Sequence, residues 1–181
     1  MTEPNKPLDQ MSAQERLDLG ISYFKEGKFD EAIKALSSIR REEADPGTYA
    51  QAQIGLGLAY KAQGKLDDAI AAWKKVREDI PETYADAQLN LGLAYAKSGK
   101  REQSIEALSS IRREEAAPET YARAQFNLGV AYAESGERKQ AIKILSNIRR
   151  EEADPGTYAQ AQLNLGLAYA KSGEWKQAIK T

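Results

Sequence analysis

The sequence predicts an all-α chain of stacked antiparallel helix pairs, on three observations. First, one phrase recurs five times, Leu-Gly-x-x-Tyr with a further Gly four residues after the Tyr. It stands at Leu19-Gly20…Tyr23…Gly27, Leu56-Gly57…Tyr60…Gly64, Leu91-Gly92…Tyr95…Gly99, Leu128-Gly129…Tyr132…Gly136 and Leu165-Gly166…Tyr169…Gly173. Second, a Pro separates successive phrases, at Pro46, Pro81, Pro118 and Pro155. Third, apolar residues recur at helical spacing, as in the rows Ile54, Leu58, Ala62 and Leu66, Ile70 with Trp73 and Val76, and no segment reads as a strand. A fixed period of this size describes a stack of small units, none of which buries a core alone.

Each unit is predicted to hold two helices, broken first at the Gly and then at the Pro, because Pro cannot continue a helix interior and its predecessor is pushed out of the helical region. A polar tail over 1–11 precedes a single array over 12–181, with repeats at about 12–47, 48–82, 83–119, 120–156 and 157–181. In the first repeat, Ser12 followed by Glu15 reads as a capping box. In the second, Thr48 is the expected N-cap of a helix over about 49–63, and Gly64 the expected left-handed residue behind it. A second helix follows over about 66–79. Thr83, Thr120 and Thr157 stand in the same capping place as Thr48.

The second helices share a small position, Ala32, Ala69, Ala141 and Ala178 with Ser104 as the exception, and one turn later a large one, Leu36, Trp73, Leu108 and Leu145. Burying each large side chain is worth ~1.5–3 kcal/mol. A mid-helix Gly costs ~1 kcal/mol relative to Ala. Five of them at one place predict close backbone contact with a neighbouring helix.

Composition removes whole classes of activity. The chain has 181 residues with 26 Lys+Arg against 27 Asp+Glu, which lacks the positive excess of a nucleic-acid binder. With no Cys and no His, the common zinc sites, thiol nucleophiles, disulfides and His-based triads are gone. No catalytic constellation, metal site or cofactor site is expected. No apolar run approaches the ~18 residues of a membrane span. The polar start lacks the apolar stretch of a signal peptide. A Cys-free chain fits a reducing cytoplasm.

With Leu-Gly-x-x-Tyr, Gly, Ala-x-x-x-bulky and Pro in five in-phase copies from about Ser12 onward, the chain resembles the tetratricopeptide repeat family. The resemblance implies a right-handed α-solenoid whose first helices line a concave, peptide-binding groove. Two features depart from the family. Where it often has Trp, this chain has Arg16, Gln53, Gln88, Gln125 and Gln162. Its phrases also lie 37, 35, 37 and 37 residues apart, against the family's usual ~34. The extra residues fall in Arg-Arg-Glu-Glu-Ala, so a second helix lengthened by about half a turn is expected.

Carried onto this sequence, the groove places are Leu17, Ile54, Leu89, Phe126 and Leu163, three before the central Gly, and Ile21, Leu58, Leu93, Val130 and Leu167, one after it. Between them lie Asp18, Gly55, Asn90, Asn127 and Asn164, with Arg123 among the flanking places on one side and Lys25 and Lys97 on the other. Apolar residues where relatives hold a carboxylate with Lys and Asn point to an apolar or amphipathic protein or peptide ligand. Asn90, Asn127 and Asn164 would then serve as hydrogen-bonding rungs. The alternatives are that the aliphatic residues pack only between neighbouring first helices, and that the Asn row fixes the stack through an adjacent helix's backbone.

Other signals are weaker. Gly55-Leu-Gly57 lacks the third Gly and the βαβ context of a dinucleotide site. The Arg-Arg-Glu-Glu runs read as solvated faces, and Tyr49, Tyr84, Tyr121 and Tyr158 as staples between helix pairs. Residues 39–53 repeat as 148–162 and residues 89–99 as 163–173 without change, which points to recent duplication or an engineered array. The fifth repeat's second helix starts at about Glu174 and is short, so the last pair is expected to expose apolar surface. A fragment, or an end covered by a partner or a second copy, would follow. Two readings stay open: a non-catalytic protein- or peptide-binding adaptor, and a structural module that self-associates through its C-terminal end.

Overall fold

The computed structural model describes residues 6–181, which fall into two compact units, one ending at Ala87 and the other beginning at Gln88. Among the described residues it is all helical. A 3₁₀ turn, Leu8–Gln10, precedes α1 (Ala13–Lys25), α2 (Phe29–Ser37), α3 (Pro46–Ala62), α4 (Leu66–Trp73), α5 (Pro81–Lys97), α6 (Arg101–Ser109), α7 (Pro118–Glu134), α8 (Arg138–Leu145), α9 (Pro155–Lys171) and α10 (Trp175–Ala178). In the first unit α1 packs on α2, α3 on α4, and α3 also on both α1 and α2. In the second, α7 packs on α6 and α8, and α9 on α7, α8 and α10. This is the α-solenoid grammar of paired helices that the sequence predicts. None of the described helices is long and apolar enough to cross a membrane.

Helix ends follow local chemistry, with one correction. Ser12 and Glu15 form the expected capping box on α1. Thr48, however, is not a cap. The long helix starts earlier, with Pro46 in its first turn, where a missing N–H costs nothing. The cap is Asp45, whose carboxylate accepts from the Thr48 N–H at 3.0 Å. Asp154 does the same for Gly156 and Thr157. The Thr48 hydroxyl and N–H together hold the Asp45 carboxyl below its ordinary value. The first helices are thus longer than expected, because Pro opens the next helix rather than merely closing the last one. At the other end of α3, Gly64 adopts φ +77° and the Lys65 N–H reaches the Tyr60 carbonyl at 2.9 Å, a Schellman closure that turns the chain into α4.

The lengthened second helix does not form. α8 ends at Leu145, in register with the end of α4 at Trp73, and α2 and α6 end only one residue later, at Ser37 and Ser109. The Arg-Arg-Glu-Glu stretch is instead a turn: the Glu43 N–H closes back on the Arg40 carbonyl at 3.3 Å, and the Arg40 N–H donates to the Glu43 carboxylate at 2.9 Å. A side chain that caps its own turn competes with helix continuation.

Four of the five central Gly, all but Gly166, are explained by side chains rather than by backbone meeting backbone. A Cβ on Gly20, Gly92 or Gly129 would lie about 2.5 Å from Leu36, Leu108 or Leu145, and one on Gly57 would lie 2.2 Å from Trp73 Nε1. Each large side chain of a second helix therefore lies over the bare backbone of its first helix. Leu36, Trp73, Leu108 and Leu145 are fully buried as a result. The Trp73 N–H donates to the Ile54 carbonyl at 3.3 Å, so its one polar atom is satisfied. Ser104, which replaces Ala in the third repeat, is also buried and donates to the Gly92 carbonyl at 2.8 Å.

Candidate functional site

The first unit holds a hollow of about 520 Å³ floored by Ile21, Phe24, Leu36, Ile54 and Leu58 and edged by Lys25, Gln51, Glu82, Thr83 and Asp86. Gly55 forms part of its wall. At the place of Asn90, Asn127 and Asn164 the second repeat carries Gly55, and the atom nearest to a Cβ built there is Leu36 Cδ1, at 3.1 Å. A side chain at that place would fill the hollow. The floor is half-buried, with Ile21, Phe24, Ile54 and Leu58 all in reach of water. Apolar surface held open in this way gains from being covered.

Of the predicted groove places, Ile21, Lys25, Ile54, Gly55 and Leu58 meet here. Ile21 and Phe24 complete the floor. Ile21 follows from the repeat register, whereas Phe24 carries no repeat signal and Glu82 and Thr83 lie outside the groove places. Of the others, Leu89 is 3% exposed and offers no surface to a ligand; like Leu17, which is completely buried, it serves packing. Leu93 is half-buried and Lys97 exposed. In the second unit Phe126 and Val130 are half-buried, and Phe126 packs on the cluster of Ala122, Leu145, Ile148, Ala161 and Leu165. Leu163 and Leu167, the same places on α9, are 64% and 49% exposed, and Arg123 is exposed.

Asn127 and Asn164 do not bond to an adjacent helix through their amide nitrogens. Each donates to its own helix one turn back, Asn127 to the Arg123 carbonyl at 2.7 Å and Asn164 to the Gln160 carbonyl at 2.9 Å. Asn90 is half-buried at the equivalent place.

Polar latches tie each unit together. Arg16, at the place where relatives often carry Trp, donates to the Ser38 carbonyl at 2.8 Å and pairs with Glu43 at 2.9 Å. In the second unit Arg113 donates to the Asn147 carbonyl at 3.0 Å, pairs with Glu152, and stacks 4.6 Å from the Tyr121 ring centre. Burial opposes the Arg113 charge, but Glu152 more than offsets it and the guanidinium pKa is raised. Tyr49 and Tyr158 pack against the cores of their units, as staples should.

Family models described as tetratricopeptide repeat match residues 17–82, 60–125, and 123–154 with 160–181. Among solved structures, a crystal structure of MamA protein is 27% identical with a TM-score of 0.73, covering 93% of this chain and 86% of that one. A second MamA structure is 29% identical with a TM-score of 0.71, covering 90% and 89%. YrrB, described as a TPR protein with an unusual peptide-binding site, is 20% identical with a TM-score of 0.70, covering 93% and 82%. No curated protein matches the sequence.

Proposed function

The chain belongs to the tetratricopeptide repeat family, and from that premise we propose that it is a non-catalytic scaffold that holds a protein or peptide segment through apolar side chains. The observation that carries this reading is the hollow beneath Gly55, about 520 Å³, apolar on its floor and charged only at its edge. A bulky apolar side chain of an extended or helical segment fits such a floor, and Gln51, Glu82 and Thr83 stand where the segment's polar groups would pass. YrrB, a protein of the same fold, is itself described as peptide-binding, which agrees with this reading. In the second unit half-buried Phe126 and Val130, with Asn127, would offer apolar contacts and an amide oxygen of their own.

The test is a displayed peptide library selected on the wild-type chain and counter-measured on Ile54→Asp with Leu58→Asp. Selected peptides should carry a large apolar residue and bind the double variant at least tenfold more weakly, with far-UV circular dichroism unchanged. Equal affinity for both proteins removes the hollow as the binding site.

A second reading, self-association through the C-terminal end, is favoured by one cluster. Leu163 and Leu167 on α9, Trp175 on α10 and Ile179 just after it are 64%, 49%, 65% and 85% exposed. The chain's own first helix makes a poor mate for that end. The place of Ala161, buried in the second unit's core, is held in α1 by Glu15, which pairs with Lys6 at 2.9 Å. Stacking there would desolvate a carboxylate, so this reading calls for like ends meeting. Light scattering over a concentration series should show dimers that Leu163→Asp with Leu167→Asp abolishes; a monomer at all concentrations refutes it.

A further inference from the structure

The Arg-Arg-Glu-Glu turns fix a carboxylate at one register, and one repeat lacks it. The residue whose N–H closes each turn is Glu43 onto Arg40, Glu115 onto Arg112 and Glu152 onto Arg149, at 3.2–3.3 Å. In the second unit the Glu152 carboxylate receives Arg113 from the preceding turn, while Arg113 stacks on Tyr121 and donates to the Asn147 carbonyl.

Arg41 and Tyr49 stand at the places of Arg113 and Tyr121, and Arg41 stacks 5.7 Å from the Tyr49 ring centre. The turn that follows them belongs to the shortened second repeat. There the N–H that closes on the Arg77 carbonyl, at 3.3 Å, is that of Ile80. Isoleucine thus occupies the carboxylate's place, and Lys75 occupies that of Asn147. Arg41 and Lys75 make no ion pair among the described residues. Both, with Tyr49, line a cleft of about 440 Å³ whose wall also carries Glu42 and Asp68, and an adjoining hollow of about 80 Å³ walled by Arg77, Asp79 and Ile80. None of these residues lines the hollow beneath Gly55.

We infer that Arg41, Lys75 and the Tyr49 face form a second binding site, which takes a glutamate or aspartate side chain of an acidic peptide in place of the missing internal carboxylate. A guanidinium drawn over an aromatic face keeps its N–H donors free for a planar carboxylate. Arg41 and Lys75 are ion-paired with none of Glu42 and Asp68 in the cleft wall or Asp79 in the hollow, so a carboxylate that reaches both cations makes a contact these do not supply. The hollow accommodates the carboxylate and the larger cleft the peptide that carries it.

The probe is fluorescein-labelled hexaglutamate, followed by anisotropy at low ionic strength, with labelled hexaglutamine as the neutral control. Hexaglutamate should bind, more weakly as salt rises, and hexaglutamine should not. Arg41→Ala with Lys75→Ala, both at exposed positions, should weaken hexaglutamate at least tenfold with helical content unchanged. Ile80→Glu should do the same by supplying the carboxylate internally. A loss smaller than tenfold in the Arg41/Lys75 variant overturns the site. So does displacement of the peptide by an equal concentration of inorganic phosphate.

Discussion

Replacing the central Gly of a repeat by Ala should have opposite effects in the second and fifth repeats. In Gly57→Ala the new Cβ would lie 2.2 Å from Trp73 Nε1 and 2.5 Å from Cε2, inside a completely buried indole. The ring has to move. Overpacking of this kind costs ~1–3 kcal/mol. The movement also breaks the Trp73 N–H bond to the Ile54 carbonyl, and a buried donor left unpaired costs ~1–3 kcal/mol. Against this, Ala is a better helix former than Gly by ~1 kcal/mol. The sum is a destabilisation of about 1–5 kcal/mol. In Gly166→Ala the nearest atoms are the Ala178 carbonyl oxygen at 3.7 Å and Thr181 Cβ at 3.8 Å, ordinary contacts, so only the helix term acts. That variant should gain up to about 1 kcal/mol. Urea unfolding followed by far-UV circular dichroism at matched protein concentration reads both. If the two variants shift the midpoint in the same direction, the side-chain-over-glycine explanation is wrong.

Two further outcomes follow from the polar contacts. Arg113→Ala should destabilise by about 1–3 kcal/mol, since it removes an ion pair and a bond to the Asn147 carbonyl, whereas Arg41→Ala, which loses only a ring contact, should cost under about 1 kcal/mol; equal thermal shifts would contradict the register argument. The Lys6 ammonium and the Ser12 N–H draw the Glu15 carboxyl down to about 2, a folded value below the ordinary one, so its contribution is whole above about pH 4.5 and is lost as pH falls toward 2. Glu15→Gln should therefore flatten the decline of melting temperature across that window, and an unchanged slope would show that the capping box carries no such linkage.

The sequence by itself determined the repeat. Gly and Pro punctuate the chain through backbone conformations that no neighbour can alter, and helical spacing of apolar residues declares which face is buried. Ser12 with Glu15 caps α1 for the same local reason. The bulky positions Leu36, Trp73, Leu108 and Leu145 were legible as core, as were Ile54 and Leu58 as surface of the candidate site. Tertiary structure decided what depends on a partner distant in the chain. The start of α3 at Asp45 and Pro46, rather than at Thr48, was by contrast a local choice that the repeat register alone did not reveal. The Arg-Arg-Glu-Glu segments are turns, each closed by the N–H of Glu43, Glu115 or Glu152 on the Arg carbonyl three residues back, and at Glu152 the carboxylate also takes a guanidinium from the preceding repeat. Leu17 and Leu163 hold the same repeat position, yet one is sealed and the other is 64% exposed, because burial depends on what packs against a residue rather than on its type. The hollow beneath Gly55 and the missing carboxylate at Ile80 are departures from the repeat. A periodic reading smooths such departures away, and their consequences appear only where neighbouring side chains meet in space.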